Sequence, residues 1–430
     1  MTPLWCHKLR LQKDNRRYDR ALWLPALFIM EALVAMGLWN ETPAFAETKI
    51  TSSVSASERY DTNVFFAPAQ FLPPGRQRSD FVSSVASEVE VLNKTRQTYT
   101  SLKAGVSGNA FVTNRDLNFI STNFYGFSNL DHWISQFLPG AKLQVADTFR
   151  YTPEPPPFFT GVKPQLTADP FSRGLVTFRA NTFVNNATVQ GQYPLSRTVS
   201  LLGDYSYSIF RFGSIFVTTP TGASSFFDTT VHTWSTGPSA RLTRADTVNL
   251  KFQETISNQT GSTGQFSFTA QSLTAEYVRT TPAWTALLSG GATHLLEGDL
   301  IFPSGRVSLY GDYLRSVRVR VDLSRAITPS FFGTGGALIS NVAQLSIQSQ
   351  LSKLLTFTGN VNYAFNELVP GNTVTFHSYT GSLYLAYRLT KTVSTSLEYG
   401  STRFNTSVAG QVPYYVQRNF VMLSITAKWY

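Results

Sequence analysis

The residue types that catalyse reactions or bind metals are scarce in this sequence and do not cluster. Apart from His7 near the N-terminus, the histidines stand singly, at His132, His232, His294 and His377. The sequence contains neither the HExxH motif of zinc sites nor the GxSxG motif of nucleophilic serines. Catalysis requires a nucleophile, a base and an orienting group that converge in space. We therefore predict that the protein is not an enzyme and that it uses no cofactor or metal.

Charged side chains instead occupy alternate positions in segments that are otherwise apolar. Arg318, Arg320 and Asp322, for example, alternate with valines and a leucine. Side chains at alternate positions of an extended strand share one face. If such strands cross a membrane, a charge that faces lipid at the midplane costs ~2–4 kcal/mol, so the charged face is expected to line an aqueous lumen. The predicted lumen-facing charges are Glu88, Glu90, Lys103, Asp204, Lys251, Arg306, Asp312, Arg318, Arg320, Asp322, Arg388 and Glu398.

These charges have two interpretations. They either form ion pairs that stiffen the wall, or they surround a constriction and select ions. Arg306, Arg318 and Arg320 fall on neighbouring predicted strands, where they would form a positive strip that favours anions. Asp312 and Asp322 share those strands and would neutralise part of that strip.

Residues 374–400 show most clearly the element that would position such side chains. Between residues 374 and 389, one alternating set is rich in Leu and Tyr, and the other is rich in Ser, Thr and Ala. A tight turn at residues 390 and 391 reverses the chain, and the alternation resumes at Val393. Each strand of this hairpin exceeds the ~9–11 residues that cross a bilayer, whereas strands of soluble sheets usually have ~5–6. An apolar face opposite a small polar face is typical of a transmembrane β-barrel.

Strands of this kind follow one another to the C-terminus, separated alternately by short turns and by longer loops rich in Gly, Pro and Phe. Only 14% of the residues are charged, against about 25% in ordinary soluble domains. We count about 18 strands; poor alternation in residues 117–153 and 283–297 leaves 16 as the alternative. The predicted fold class is an all-β, antiparallel, up-and-down transmembrane β-barrel.

Residues 1–46 have the features of a cleaved signal peptide. Six basic residues precede an apolar stretch at residues 21–39, and Ala-Phe-Ala at residues 44–46 provides a cleavage site. A retained membrane anchor is the alternative. The predicted organisation is a signal peptide (residues 1–46) followed by the barrel (residues 47–430). The net charge of +10 is not concentrated in a basic run with interleaved aromatic residues, so no nucleic-acid binding is expected.

Aromatic residues are placed where membrane interfaces would lie. Doublets recur beside the longer loops, including one at residues 158 and 159, and single tryptophans occur near the short turns. Such residues form two girdles in outer-membrane barrels; the alternative is that some doublets fold over the mouth and stack on sugars. The predicted girdle residues are Phe65, Phe66, Phe226, Phe227, Phe331, Phe332, Tyr414 and Tyr415 on the loop side, and Trp133, Trp284 and Trp429 on the turn side.

The last strand has its apolar face at Trp429 and at every second residue before it, whereas Tyr430 belongs to the polar set. Either Trp429 is the terminal aromatic residue that the barrel assembly machinery reads, or a bulge realigns Tyr430.

One short segment and a recurring pattern suggest a family. The segment SERYDTNVFF at residues 57–66, the strands that restart after Ser/Thr and Arg/Lys turns, and the C-terminal strand resemble β-barrel porins found with exopolysaccharide and PEP-CTERM systems in Gram-negative bacteria. The resemblance implies an outer-membrane barrel with a role near polysaccharide export, without identifying a reaction.

The sequence thus predicts a porin-like channel of the outer membrane that passes small hydrophilic solutes and favours anions. A channel or scaffold for exopolysaccharide export and a structural barrel with an occluded lumen are the alternatives; residues 154–173 could supply a plug. The expected partners are outer-membrane lipids, the barrel assembly machinery, and small hydrophilic solutes or polysaccharide.

Overall fold

The computed structural model describes residues 47–72, 74–95, 98–153, 179–215, 226–261, 264–314, 316–331, 335–371, 374–408 and 413–430, with backbone alone at 214–215, 408 and 414. The predicted signal peptide, the doublet at residues 158 and 159, the suggested plug at residues 154–173 and Phe332 lie outside this description.

Long strands account for most of the described chain. The strands are β1 (Glu47–Asp61), β2 (Asp80–Lys94), β3 (Tyr99–Phe111), β4 (Phe119–Asn129), β5 (Lys142–Thr152), β6 (Ala180–Pro194), β7 (Val199–Ile215), β8 (Asp228–Arg241), β9 (Asp246–Gly261), β10 (Gly264–Thr280), β11 (Trp284–Leu295), β12 (Leu300–Leu314), β13 (Val317–Pro329), β14 (Ala337–Gln350), β15 (Leu355–Val369), β16 (Val374–Arg388), β17 (Val393–Val408) and β18 (Tyr414–Trp429). A five-residue helix, α1 (Asp131–Ser135), lies between β4 and β5.

The strands form one closed antiparallel barrel. Each strand pairs with its neighbour in sequence, and β1 also pairs with β18, which closes the sheet. The prediction of 18 strands is confirmed, and the alternative of 16 is wrong. The segments whose side chains alternate poorly nevertheless form β4, β5 and β11. Their backbone groups pair with the neighbouring strands, and this pairing does not depend on the side chains.

The short turns emerge at one end of the barrel, together with the connection that contains α1, and most of the longer connections emerge at the other end. We call the end with the connections at residues 195–198, 242–245 and 281–283 the turn end, and the end with residues 62–72, 112–118 and 296–299 the loop end. Among the described residues, no helix has the length and apolar character needed to cross a membrane.

The two faces of the wall differ as the period of two predicts. On β18, Val421, Leu423 and Ile425 are exposed, whereas the alternating Met422 and Ser424 are partly buried. The exposed apolar set faces outward, because the opposite set contacts the interior core. The outward face also carries some polar groups: Glu254 on β9 accepts hydrogen bonds from Trp234 Nε1 (3.1 Å) and Gln271 Nε2 (2.7 Å).

The C-terminal strand needs no bulge. β18 ends at Trp429, whose side chain is exposed, and the β1–β18 pairing runs from Phe420 to Trp429 without a shift in register. The bulge that would realign Tyr430 is therefore wrong. Tyr430 follows the strand, and its ring lies beneath the ammonium groups of Lys49 (4.6 Å) and Lys428 (5.3 Å).

Candidate functional site: the lumen and its plug

The structure places all of the predicted lumen-facing charges on the inward set of their strands. Asp204 on β7 and Lys251 on β9, for example, reach each other past the intervening β8, with Nζ and Oδ2 2.5 Å apart. Ser235 on β8 donates to the same carboxylate at 2.9 Å. Between β2 and β3, Lys103 Nζ lies 3.0 Å from Glu88 Oε2. These contacts connect neighbouring strands along the inner wall.

The predicted positive strip on β12 and β13 is largely neutralised. Arg306 donates to Asp322 Oδ2 through Nε (2.9 Å) and Nη2 (2.5 Å). Arg318 Nε donates to Asp312 Oδ1 at 2.9 Å. Arg320 lies between these pairs and forms no ion pair within the described ranges. Any net positive field here therefore comes from Arg320 and not from the three arginines together.

The remaining predicted charges differ in their surroundings. Glu90 and Arg388 form no ion pair with another described residue, and Arg388 lies at the exposed turn end of β16. Glu398 on β17 is acted on by the charges of Arg59 and Arg418, which share its inward side. The inner wall therefore carries charges of both signs.

Water reaches most of these paired groups. The paired side chains from Glu88–Lys103, Asp204–Lys251 and Asp312–Arg318 keep 30% to 53% of their surface accessible. They lie in the middle of their strands or toward the turn end. The inner wall is therefore hydrated over this half of the barrel.

The loop end of the lumen is filled by apolar side chains. Six loop residues pack with wall residues into a single buried cluster that we call the plug: Val64, Phe65, Ala67, Leu117, Phe226 and Phe331. The wall residues that complete the plug are Val82, Phe111, Ala180, Phe210, Leu338, Leu368, Val374, Phe376, Phe404 and Val416. These wall residues all belong to the loop-end part of their strands.

The plug corrects the girdle prediction at this end. Phe65, Phe66, Phe226, Phe227 and Phe331 are all buried and cannot face lipid. Doublets beside the loops suggested an interface, but the loops turn inward, and burial in the lumen removes the same apolar surface from water. The girdle interpretation is wrong for these five residues.

Contacts across the lumen join strands that are far apart in the sheet. The rings of Phe210 on β7 and Phe331 after β13 have centroids 4.6 Å apart. The backbone N–H of Phe227 donates to the carbonyl of Phe331 at 2.9 Å. Gln259 on β9 makes two hydrogen bonds to the backbone of Gly336, at 2.9 and 2.6 Å. The loops thus bind one another across the opening.

A buried arginine holds the first loop in place. Arg179 is almost fully buried, and its Nη1 and Nη2 donate to the carbonyls of Val64 (3.1 Å) and Leu117 (3.4 Å). Its guanidinium also lies over the rings of Phe111 (4.7 Å) and Phe119 (5.1 Å). One side chain therefore connects the first loop to β3, to the segment at Leu117 and to β4.

A second arginine joins the plug to the wall. Arg418 on β18 donates to Asp61 Oδ2 on β1 through Nε (2.8 Å) and Nη2 (2.5 Å), and Arg59 Nε lies 3.6 Å from the same oxygen. The guanidinium of Arg418 also lies 4.0 Å from the centroid of Phe66. Asn63 completes the junction, because its backbone N–H donates to Asp61 Oδ1 at 3.0 Å.

The other predicted girdle residues are exposed where they are described. Trp133 lies on α1, Trp284 begins β11 and Trp429 ends β18, so all three are at the turn end. Tyr415 is exposed at the loop end of β18. The side chain of Tyr414 lies outside the description, as does Phe332. A girdle at these exposed positions stays a prediction.

The histidines do not form a site. His232 faces outward beside Tyr205 (Nδ1 to OH, 2.9 Å), and His377 faces outward beside Phe365. His294 contacts Asp299 at 2.8 Å, and His132 contacts Gln136. Within the part of the chain that the structure describes, no three potential metal ligands come together.

The sequence did not single out Asp61, Arg179 or Arg418, which anchor the plug. Arg418 lies on the inward set of β18, so extending the alternation toward the loop end would have placed it in the lumen. Asp61 and Phe66 fall within the quoted SERYDTNVFF segment. No sequence signal pairs Arg179 with Val64, since they are separated by 115 positions.

Comparison with known proteins adds only distant likenesses. No protein-family model matches the chain, and no curated protein matches it. Among solved structures, a mutant of the ferric enterobactin receptor of Pseudomonas aeruginosa is 10% identical, with a TM-score of 0.43, covering 90% of this chain and 81% of that one. Acinetobacter baumannii OccAB4 is 8% identical (TM-score 0.42; 89% and 98% covered), and Pseudomonas aeruginosa OccK3 is 10% identical (TM-score 0.42; 89% and 96% covered). Likenesses this distant do not assign a function.

Proposed function

We propose that the protein is a channel of the Gram-negative outer membrane that passes small hydrophilic solutes and that its loop end is gated by the plug. The turn end then faces the periplasm and the loop end faces the exterior. Barrels of 16–18 strands are wide enough for an aqueous channel. The apolar outward face of the barrel fits a lipid environment.

The hydrated ion pairs on the inner wall are the observation that supports a channel best. A barrel that served only as a scaffold could fill its whole interior with apolar side chains, as the plug does at the loop end. Here the inner wall is instead lined with accessible charges of both signs. Such a lining solvates ions and polar solutes, which an apolar lining would exclude.

The plug explains how such a channel is closed. It rests on van der Waals contacts between loop and wall residues and on a small number of hydrogen bonds, so a movement of the loops would open the path without breaking the strand pairing. A barrel whose lumen is permanently occluded is the competing interpretation. A gated channel in its closed state and a permanently occluded barrel would have the same arrangement of the plug.

Planar-bilayer recordings can separate the two. We expect the wild-type protein to open rarely, and the Phe210→Ala/Phe331→Ala variant to conduct in frequent steps, because it loses the ring contact across the lumen. Phe81→Ala is the matched control, since Phe81 is exposed on the outer face. Folding is checked by heat-modifiable gel mobility. A folded double variant that never conducts would establish the occluded barrel instead.

A role in exopolysaccharide export rests on the sequence resemblance alone. The contacts of the plug do not favour a polymer over a small solute. We therefore propose the solute channel first; co-purification of the protein with a polysaccharide synthesis complex would support the export role.

A further inference from the structure

The outer rim of the loop end carries a groove of about 620 Å³ between the first loop and β18. The groove arises because β1 ends at Asp61, while β18 continues past the last residue that pairs with β1. The first loop takes the place of the missing strand: Asn63 Nδ2 and Arg78 Nη2 donate to the carbonyl of Gln417 at 3.0 and 2.7 Å. The polar side chains that line the groove are Thr62, Gln70, Arg78, Tyr415, Gln417 and Asn419.

The groove lies directly above the apolar part of the outer wall. Outward side chains of β18 are apolar from Trp429 to Val421 and become polar at Asn419. At a rise of ~3.3 Å per residue and a strand tilt of ~40°, the apolar part spans roughly 20 Å. This is close to the ~25 Å apolar band of outer-membrane barrels. The groove is therefore at the height of lipid headgroups.

One arginine that lines the groove, Arg78, and one beside it on β17, Arg403, carry positive charge at this rim. Arg78 Nε is buried and has no hydrogen-bond partner in the described chain. Arg403 is the pairing partner of Gln417 on the same outward face; it is exposed and forms no ion pair with any described residue. Other outward arginines are occupied: Arg325 Nη1 donates to Asn341 (2.7 Å), and Arg211 lies beside Asp228. Among the described residues, the positive charge of Arg78 and Arg403 therefore has no carboxylate partner.

We propose that this groove binds the phosphorylated sugar headgroup of an anionic glycolipid in the outer leaflet. Guanidinium groups suit phosphate oxygens, and the amides of Gln70, Gln417 and Asn419 suit sugar hydroxyls. The exposed side chains of Val421 and Leu423 lie below the groove, where the acyl chains of such a lipid would be. The inference rests on the outer-membrane location proposed above.

The test measures binding to purified, folded protein in detergent, with diphosphorylated lipid A as the probe. We expect saturable binding that weakens at least about tenfold in Arg403→Gln, since a hydrogen bond to a charged group is lost. Arg403 is chosen because Arg78 also anchors the first loop. Arg279→Gln is the matched control, because Arg279 is an outward arginine at the turn end. Heat-modifiable mobility confirms that every variant is folded.

Two further probes identify the source of the phosphate. Dephosphorylated lipid A should bind more weakly than the diphosphorylated form and should not distinguish Arg403→Gln from wild type. Inorganic phosphate should not compete at millimolar concentration. Equal binding of both lipids, or equal losses in Arg403→Gln and Arg279→Gln, would overturn the proposal. Tight binding of inorganic phosphate that Arg403→Gln abolishes would assign the groove to a soluble phosphate compound instead. None of these measurements depends on conductance, so this proposal can fail while the channel function stands.

Discussion

The junction between Asp61 and Arg418 offers a direct test of how the plug is held to the wall. The Asp61 side chain is fully inaccessible, and that of Arg418 is 9% accessible. Asp61→Asn keeps the shape and an acceptor oxygen but removes the negative charge. Arg418 would then be a buried cation that has lost its ion-pair partner, with the carboxylate of Glu398 acting on it from the same inward side. Removing one partner of a buried ion pair costs about 3–5 kcal/mol, and the retained acceptor places the expected loss near the lower limit.

The same barrel contains a control with the same chemistry. Asp312 and Arg318 also form an Asp–Arg pair, at 2.9 Å, but their side chains are 53% and 43% accessible. Water solvates the remaining charge after Asp312→Asn, so the expected loss is about 0–1 kcal/mol. The two substitutions should therefore differ by roughly 2–4 kcal/mol, and burial is the cause of the difference.

Equilibrium unfolding in guanidinium chloride, followed by tryptophan fluorescence of the protein in lipid vesicles, measures both losses. Asp61→Asn should also raise the frequency of channel opening, because Arg418 contacts Phe66 of the first loop. The double variant Asp61→Asn/Arg418→Gln should recover part of the lost stability, since the buried charge of Arg418 is then removed together with that of Asp61. If Asp61→Asn destabilises the barrel no more than Asp312→Asn does, the junction does not hold the plug and our reasoning is refuted.

Two further predictions concern ion preference and strand pairing. Arg320→Ser should shift the reversal potential in a KCl gradient toward cation selectivity, because Arg320 has no ion-pair partner in the described chain. The control Asp312→Asn/Arg318→Gln removes an ion pair of zero net charge and should leave the reversal potential unchanged. Equal shifts in the two variants would show that Arg320 does not act on permeating ions. Gly291→Ala should lower the stability of the folded barrel by about 1–3 kcal/mol, because the added Cβ would lie 2.0 Å from the carbonyl oxygen of Leu273. The Cβ added by Gly290→Ala would have no neighbour within 4 Å, so this variant is the control. Urea unfolding of the two alanine variants measures the difference, and equal stability would contradict the steric explanation.

The strands and their two faces could be predicted from the sequence because both depend on local alternation. The side chain two residues along a strand returns to the same face, so the inward position of Asp204 or Arg318 follows from its neighbours in sequence. Strand number followed in the same way, from repeated changes between alternating segments and turns. The weakly alternating β4 and β11 could also be counted correctly, because each lies between two strands that need a partner in an up-and-down barrel.

The plug, by contrast, was decided by the tertiary structure. Phe331 is buried because closure of the barrel brings it against Phe210, more than a hundred residues away in the chain. A Phe beside a loop has the same local pattern whether the loop turns toward lipid or into the lumen, and both environments remove its ring from water. For the same reason, the alternation placed Arg318 and Asp312 on the inner face, but only the register of β12 with β13 made them partners. Local periodicity determines which face a side chain occupies, whereas closure and register determine which group it meets there.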